Sequence, residues 1–162
     1  MHANSLDTFY SSEVGQLGFY INQVPYFYYE PAKPIGATHF NVSNLTDLAQ
    51  VDILYAHQDM APELAELAVA SGAQGLIFAG MGAGGISSAA STAARALFNA
   101  TGVPMVSSHR SADGFVPSGG GFTVASGFYN PQKARVLLQL ALTMEYGIEQ
   151  IKEIFALSYP MA

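Results

Sequence analysis

The sequence predicts an α/β fold: a small doubly wound, flavodoxin-like domain of four parallel strands, preceded by an aromatic β-hairpin. Three observations carry this. From Val51 onward, short apolar runs of strand length alternate with longer Ala- and Leu-rich stretches of helical period. The apolar runs are continuous, as in strands covered on both faces. Before Val51 the chain changes character. Phe9, Tyr10, Phe19, Tyr20, Tyr26, Phe27, Tyr28, Tyr29 and Phe40 crowd its first forty residues.

The aromatic segment holds two extended runs, residues 17–21 and 26–29, with Asn22-Gln23 and then Val24-Pro25 between them. Such runs around a polar turn form a hairpin. A lone hairpin is marginal in water, so these strands need a further sheet to join. Pro31, Pro34 and Gly36 then break the pattern, and residues 30–48 read as a linker.

In the second region, residues 51–55 form the first strand. A helix over 62–70 follows, with Pro62, Glu63 and Glu66 in its first turn and Gly72 at its end. Residues 75–79 form the second strand, and 86–99 an Ala-rich helix stopped near Gly102. The third strand covers 103–107, and a polar, glycine-rich loop runs from 108 to 121. The fourth strand covers 122–126. Asn130 caps a helix that opens on Pro131 and extends to about Tyr146. Gly147 breaks it, and a last helix carries Ile148, Ile151, Ile154 and Phe155 on one face.

Composition excludes several classes. Half of the 162 residues are hydrophobic and 11% are charged, which supports a core and argues against disorder. The net charge is -6, and the basic residues Lys33, Arg95, Arg110, Lys133, Arg135 and Lys152 are scattered, so no nucleic-acid stripe forms. There is no cysteine, hence no disulfide and no thiolate metal site. No apolar run is long enough to span a bilayer, and the first residues show no signal peptide. Three sequons, at Asn41, Asn44 and Asn99, are candidate glycosylation sites. They point to a secreted, cell-wall or periplasmic protein, an expectation that fits the absent signal peptide only if an N-terminal half is missing.

Several motifs compete for the chemistry. Gly80, Gly82 and Gly85 fit GxGxxG after a strand and before a helix, the context of a dinucleotide turn. The next strand ends in Ser107-Ser108-His109-Arg110, without a carboxylate for a ribose, so a structural turn with some anion or substrate affinity is the competing reading. Of the four histidines, His2, His39, His57 and His109, no pair has metal-ligand spacing, and all read as surface or loop residues. His57-Gln58-Asp59 follows the first strand, at the edge where α/β ligands bind. Ser107, Ser108 and Ser111 flank His109 without forming a catalytic relay by adjacency. Ser87, Ser88, Ser91 and Thr92 read as helix capping and packing. No cofactor and no metal are expected.

One stretch reaches further. VASGFYNPQKARVLLQLALT, residues 124–143, closely resembles a segment of type II L-asparaginases, fungal-like in character. The strand and glycine turn over 76–84, the strand ending at Arg110, the strand over 51–55 and the Asp7-Thr8-Phe9 and Leu17-Gly18-Phe19 hairpin resemble the family in the same order. The resemblance implies residues 1–34 as a residual hairpin of an N-terminal asparaginase domain, 35–50 as linker and 51–162 as the C-terminal domain. It implies hydrolysis of L-asparagine to L-aspartate and ammonia in the intact enzyme, with variable glutaminase activity, by a threonine nucleophile and an acyl-enzyme.

The family's TGGTI-like and TDT-like motifs, with their aspartate and lysine, are not among these residues. The resemblance therefore implies a chain that is inactive alone. The implied partners are an N-terminal domain or a second subunit, in a homo-oligomer. Gly82, Ala83 and Gly84 match the loop that approaches a neighbour's active site. Ala83 stands where the family commonly has asparagine, and the loop over 111–121 lacks its glutamate. A non-enzymatic binding or assembly module with the same fold is the alternative, and a dinucleotide-binding domain a further one.

Overall fold

The structure is a computed structural model, and residues 4, 11, 15–30 and 38–157 are described. The Asp7-Thr8-Phe9 match, Tyr10, His2 and the Pro31, Pro34 and Gly36 breaks lie outside the described residues. The chain divides into two compact units, Met1–Gly36 and Ala37–Ala162.

In the first unit, β1 (Gly18–Ile21) pairs antiparallel with β2 (Val24–Phe27). Asn22 and Gln23 take φ of 48° and 68°, the two positive values that a two-residue type I′ turn requires. The second strand therefore begins at Val24, two residues earlier than the aromatic run suggested. Pro25 is accommodated because this two-stranded sheet has only edge strands. Phe19 stacks on Tyr26 at 5.6 Å. Tyr20, Phe27, Tyr28 and Tyr29 are exposed.

In the second unit, β3 (Val51–Tyr55), β4 (Gly75–Gly80), β5 (Met105–His109) and β6 (Val124–Ala125) make one parallel sheet in the order β3-β4-β5-β6. Alternate residues feed two cores. Leu76, Phe78 and Met105 pack with Ala65, Ala94 and Phe122 beneath α1 (Leu64–Ala70) and α2 (Ser88–Thr101). Val51, Ile77, Val106 and Val124 pack with Ala134, Leu138, Ile151 and Phe155 of α3 (Pro131–Thr143) and α4 (Ile148–Ala156). The sheet is covered on both faces, as the continuous apolar strands required. Strand order follows chain order, whereas flavodoxin-like winding reverses it after the first strand. The second helical layer comes instead from α3 and α4, which follow the last strand.

Element ends differ from expectation for local reasons. Pro62 and Glu63 lie in a turn before α1, closed by Leu64 N–H donating to the Ala61 carbonyl. β5 begins two residues late, because Pro104 offers only its carbonyl, which accepts from Leu76 N–H. It runs on to His109, paired with Gly80. β6 keeps two residues, because Thr123 N–H turns back to the Gly119 carbonyl. α3 stops at Thr143, because Glu145 adopts φ of 56° and Tyr146 N–H returns to the Ala141 carbonyl.

Phe40, expected in the linker, instead packs half-buried against the α/β core, 5.8 Å from Tyr146. The segment expected as a linker is irregular over 38–50, yet its end is strapped to α3. Ala49 N–H donates to Thr143 Oγ1, and Gln139 Nε2 donates to the Ala49 carbonyl.

Candidate functional site at the carboxyl edge of the sheet

The glycine turn connects β4 to α2. Gly82 and Gly84 have φ of 53° and 93°, which a side chain resists. Gly80 is needed for a different reason. A Cβ there would sit 2.3 Å from the Gly84 carbonyl carbon. The loop folds back onto the strand that launches it, and Met81 and Gly85 exchange both backbone hydrogen bonds at 2.7 and 2.8 Å. The tip, Gly82 and Ala83, is exposed.

This closure bears on the dinucleotide reading. In that motif the helix opens within the glycines and aims its N–H groups at a pyrophosphate. Here α2 starts at Ser88, after the loop has closed, and the Ser87 hydroxyl accepts from Ala90 N–H. The glycines serve the hairpin-like loop. Ser87 caps the helix, as expected, and Thr92 Oγ1 donates to the Ser88 carbonyl.

His109 corrects the sequence reading. It is not a surface or loop residue but 2% exposed at the end of β5. It occupies the same face as Met105 and Ser107, because strand side chains alternate. Nδ1 lies 3.0 Å from the Ser111 carbonyl, and Gly114 packs over the ring where a Cβ would come within 3.3 Å. Nε2 is buried with no hydrogen-bond partner. Ser107 and Ser108, also at this edge, are structural. Ser107 Oγ is 2.8 Å from Thr123 Oγ1, and Ser108 Oγ donates to the Tyr129 carbonyl at 2.8 Å.

Arg110 leaves the strand and ties two loops together. Its backbone N–H donates to the Gly80 carbonyl, and Nη1 donates to the Ala56 carbonyl at 2.7 Å. The guanidinium stands 5.6 Å over the Tyr55 ring. His57 is exposed, and its Nδ1 meets the Gln58 carbonyl at 2.7 Å. The next residue but one, Asp59, has φ of 61°. The sheet edge thus presents the loops after β3, β4 and β5 side by side, with Ala83 at the tip of the middle one. Among the described residues no cluster of His, Asp and Glu is placed to hold a metal ion. No described helix is long and apolar enough to cross a membrane.

Two surface grooves of about 470 and 480 Å³ lie elsewhere. One runs between α1 and α2 past Glu63 and Glu66, the other along α3 past Phe40 and Val136. Asn41 and Asn44 are exposed in irregular chain, and Asn99 is exposed in the last turn of α2.

Residues 50–155 match the family model of the glutaminase/asparaginase C-terminal domain. The chain is 45% identical to L-asparaginase 2-3 of Saccharomyces cerevisiae, over 96% of its own length and 45% of that protein. It is 44% identical to probable L-asparaginase 1 of Schizosaccharomyces pombe, over 98% of itself and 44% of the relative. The crystal structure of a probable cytoplasmic L-asparaginase from Campylobacter jejuni superposes with a TM-score of 0.86 at 34% identity, covering 96% of this chain and 49% of that one. The chain therefore spans about half the length of the proteins it matches.

Proposed function

Because the chain belongs to the glutaminase/asparaginase C-terminal domain family, we propose that it supplies the C-terminal half of an enzyme that hydrolyses L-asparagine to L-aspartate and ammonia. The observation that carries this is the identity to L-asparaginases along 96% of the chain. In this reading the threonine nucleophile and its proton-transfer partners come from an N-terminal domain. That domain attacks the carboxamide carbon and expels ammonia. Water then cleaves the acyl ester and returns the threonine.

The work of these residues is positional. The hairpin of β1 and β2 offers two edges and an aromatic surface for the larger domain's sheet, which the marginal stability of a lone hairpin supports. The closed glycine loop holds Ala83 at the carboxyl edge, where it meets the active site of a second subunit in a homo-oligomer. A methyl group there cannot hydrogen-bond substrate, so the polar contact must come from another group. A secreted or cell-wall location is a separate expectation, supported by the exposed sequon at Asn41.

The test is ammonia release from L-asparagine by the purified chain, alone and co-expressed with the N-terminal domain of a yeast relative. The chain alone is expected to be silent and the pair active. Robust turnover by the chain alone, abolished by mutating a single hydroxyl, sinks the proposal.

Ala83 supports one other reading, a non-enzymatic module that keeps the fold and binds a small amide or a partner. Calorimetric titration of the chain with asparagine and aspartate separates the two. Saturable binding by the chain alone, with no activity in the pair, selects the module.

A further inference from the structure

The three sequons occupy unlike structural settings, and the difference is chemical. We propose that Asn41 accepts an N-linked oligosaccharide from a lipid diphosphate-linked donor, and that Asn44 and Asn99 do not. This stands on the fold alone and is independent of the hydrolase reading.

At Asn41 the side-chain Oδ1 accepts from the Ser43 N–H at 3.1 Å, an Asx turn. The carboxamide is planar, so turning its oxygen inward turns Nδ2, the acceptor atom, outward. The turn also brings residue 43, whose hydroxyl the transferase reads, against the carboxamide it acts on. Both residues are exposed in irregular chain, so the sequon keeps its access before and after the domain folds.

Asn44 sits in the turn closed by Leu45 N–H donating to the Val42 carbonyl. Its hydroxyl partner, Thr46, donates to the Asp47 carboxylate at 3.2 Å. That contact occupies the hydroxyl proton and sets a negative charge beside the Thr46 hydroxyl that the transferase must read. Three residues from Asn41, it is also shielded once the first glycan is attached.

Asn99 lies inside α2, the 14-residue Ala-rich helix. Residues two apart on a helix face away from each other, so the Asn99 carboxamide and the Thr101 hydroxyl cannot meet one transferase site. The Thr101 hydroxyl is already committed, donating to the Leu97 carbonyl at 2.8 Å and accepting from Val103 N–H. The alanines of this helix favour it intrinsically, which works against the extended form that a transferase site needs.

The chemistry balances without any redox partner. Asn41 Nδ2 attacks the anomeric carbon of the donor sugar. The new N–C bond forms as the C–O bond to the diphosphate breaks, the lipid diphosphate leaves with the electron pair, and the amide proton passes to a base on the transferase.

The test expresses the full chain behind a cleavable secretory leader in a eukaryotic host. Amidase digestion in heavy-oxygen water then marks each glycosylated asparagine as a heavy aspartate, read by peptide mass. Chain retained in the host's membrane fraction is scored in the same way. The expected label is on Asn41 only. Asn41→Gln and Ser43→Ala should both abolish the glycan-dependent gel shift. Ser43→Ala keeps the backbone N–H of the Asx turn, so its loss reports the hydroxyl and not a folding failure. Asn44→Gln and Asn99→Gln should leave the shift unchanged. Label on Asn44 or Asn99, with or without Asn41, overturns the proposal, and so does an unmodified chain.

Discussion

At the scale of single residues, the glycine turn separates two reasons for glycine that a motif search merges. Gly80 is required by contact, since any Cβ meets the backbone of Gly84. Gly82 is required by conformation alone: its φ is 53° and nothing lies within 4 Å of a Cβ built there. The two substitutions should therefore differ. Gly82→Ala should cost about 1–2 kcal/mol from the left-handed backbone. Gly80→Ala should cost about 1–3 kcal/mol from overpacking and also shift the loop. Urea unfolding gives both costs. Amide chemical shifts of Gly84 and Gly85 should move for Gly80→Ala and stay close to the parent for Gly82→Ala. Equal perturbation would mean that the loop does not pack on β4 as described. His109 carries the opposite lesson. Its neighbours in sequence are polar, so nothing local marked it as buried. Burial follows from β5 extending to pair with Gly80, a partner 29 positions away by numbering.

At the scale of elements, the caps were the most legible features. Asn130 accepts from Lys133 N–H at 2.9 Å, and Pro131 follows at the first helical position. Gly102, with φ of 71°, ends α2. These signals are local, so the sequence shows them. Asn130→Ala should cost about 1 kcal/mol, read as a lower denaturation midpoint with an unchanged m-value. No loss would mean that tertiary packing alone holds the start of α3. Strand ends were less legible. The apolar pattern of residues 122–126 marks a full strand, yet only Val124 and Ala125 pair with β5. Phe122 is spent on the α2 side of the core, where Phe98 lies 6.4 Å away and Arg95 stands over its ring. A hydrophobic run records burial, and it does not distinguish a ladder from a turn that is equally buried.

At the scale of the whole molecule, the division after Gly36 has a measurable consequence. Both cores of the α/β unit are built from residues of the second unit. A chain beginning at Ala37 should therefore unfold cooperatively, with a denaturation midpoint close to that of the full chain. A non-cooperative transition would mean that the first 36 residues are part of the folding unit.

The sequence by itself determined the fold class, the alternation of strand and helix, the hairpin and the glycine turn. It did so because apolar period, helix caps and turn residues act over a few positions. The NPQKAR helix and the strands around it were likewise enough to reveal the resemblance to asparaginases. Only the tertiary structure decided the strand order, the burial of His109, the packing of Phe40 from the linker onto the α/β core and the closure of the Met81–Gly85 loop. Each depends on which distant backbone groups pair and which face of the sheet a side chain reaches. The three sequons read alike as triplets, and only the fold tells an Asx turn from a helix.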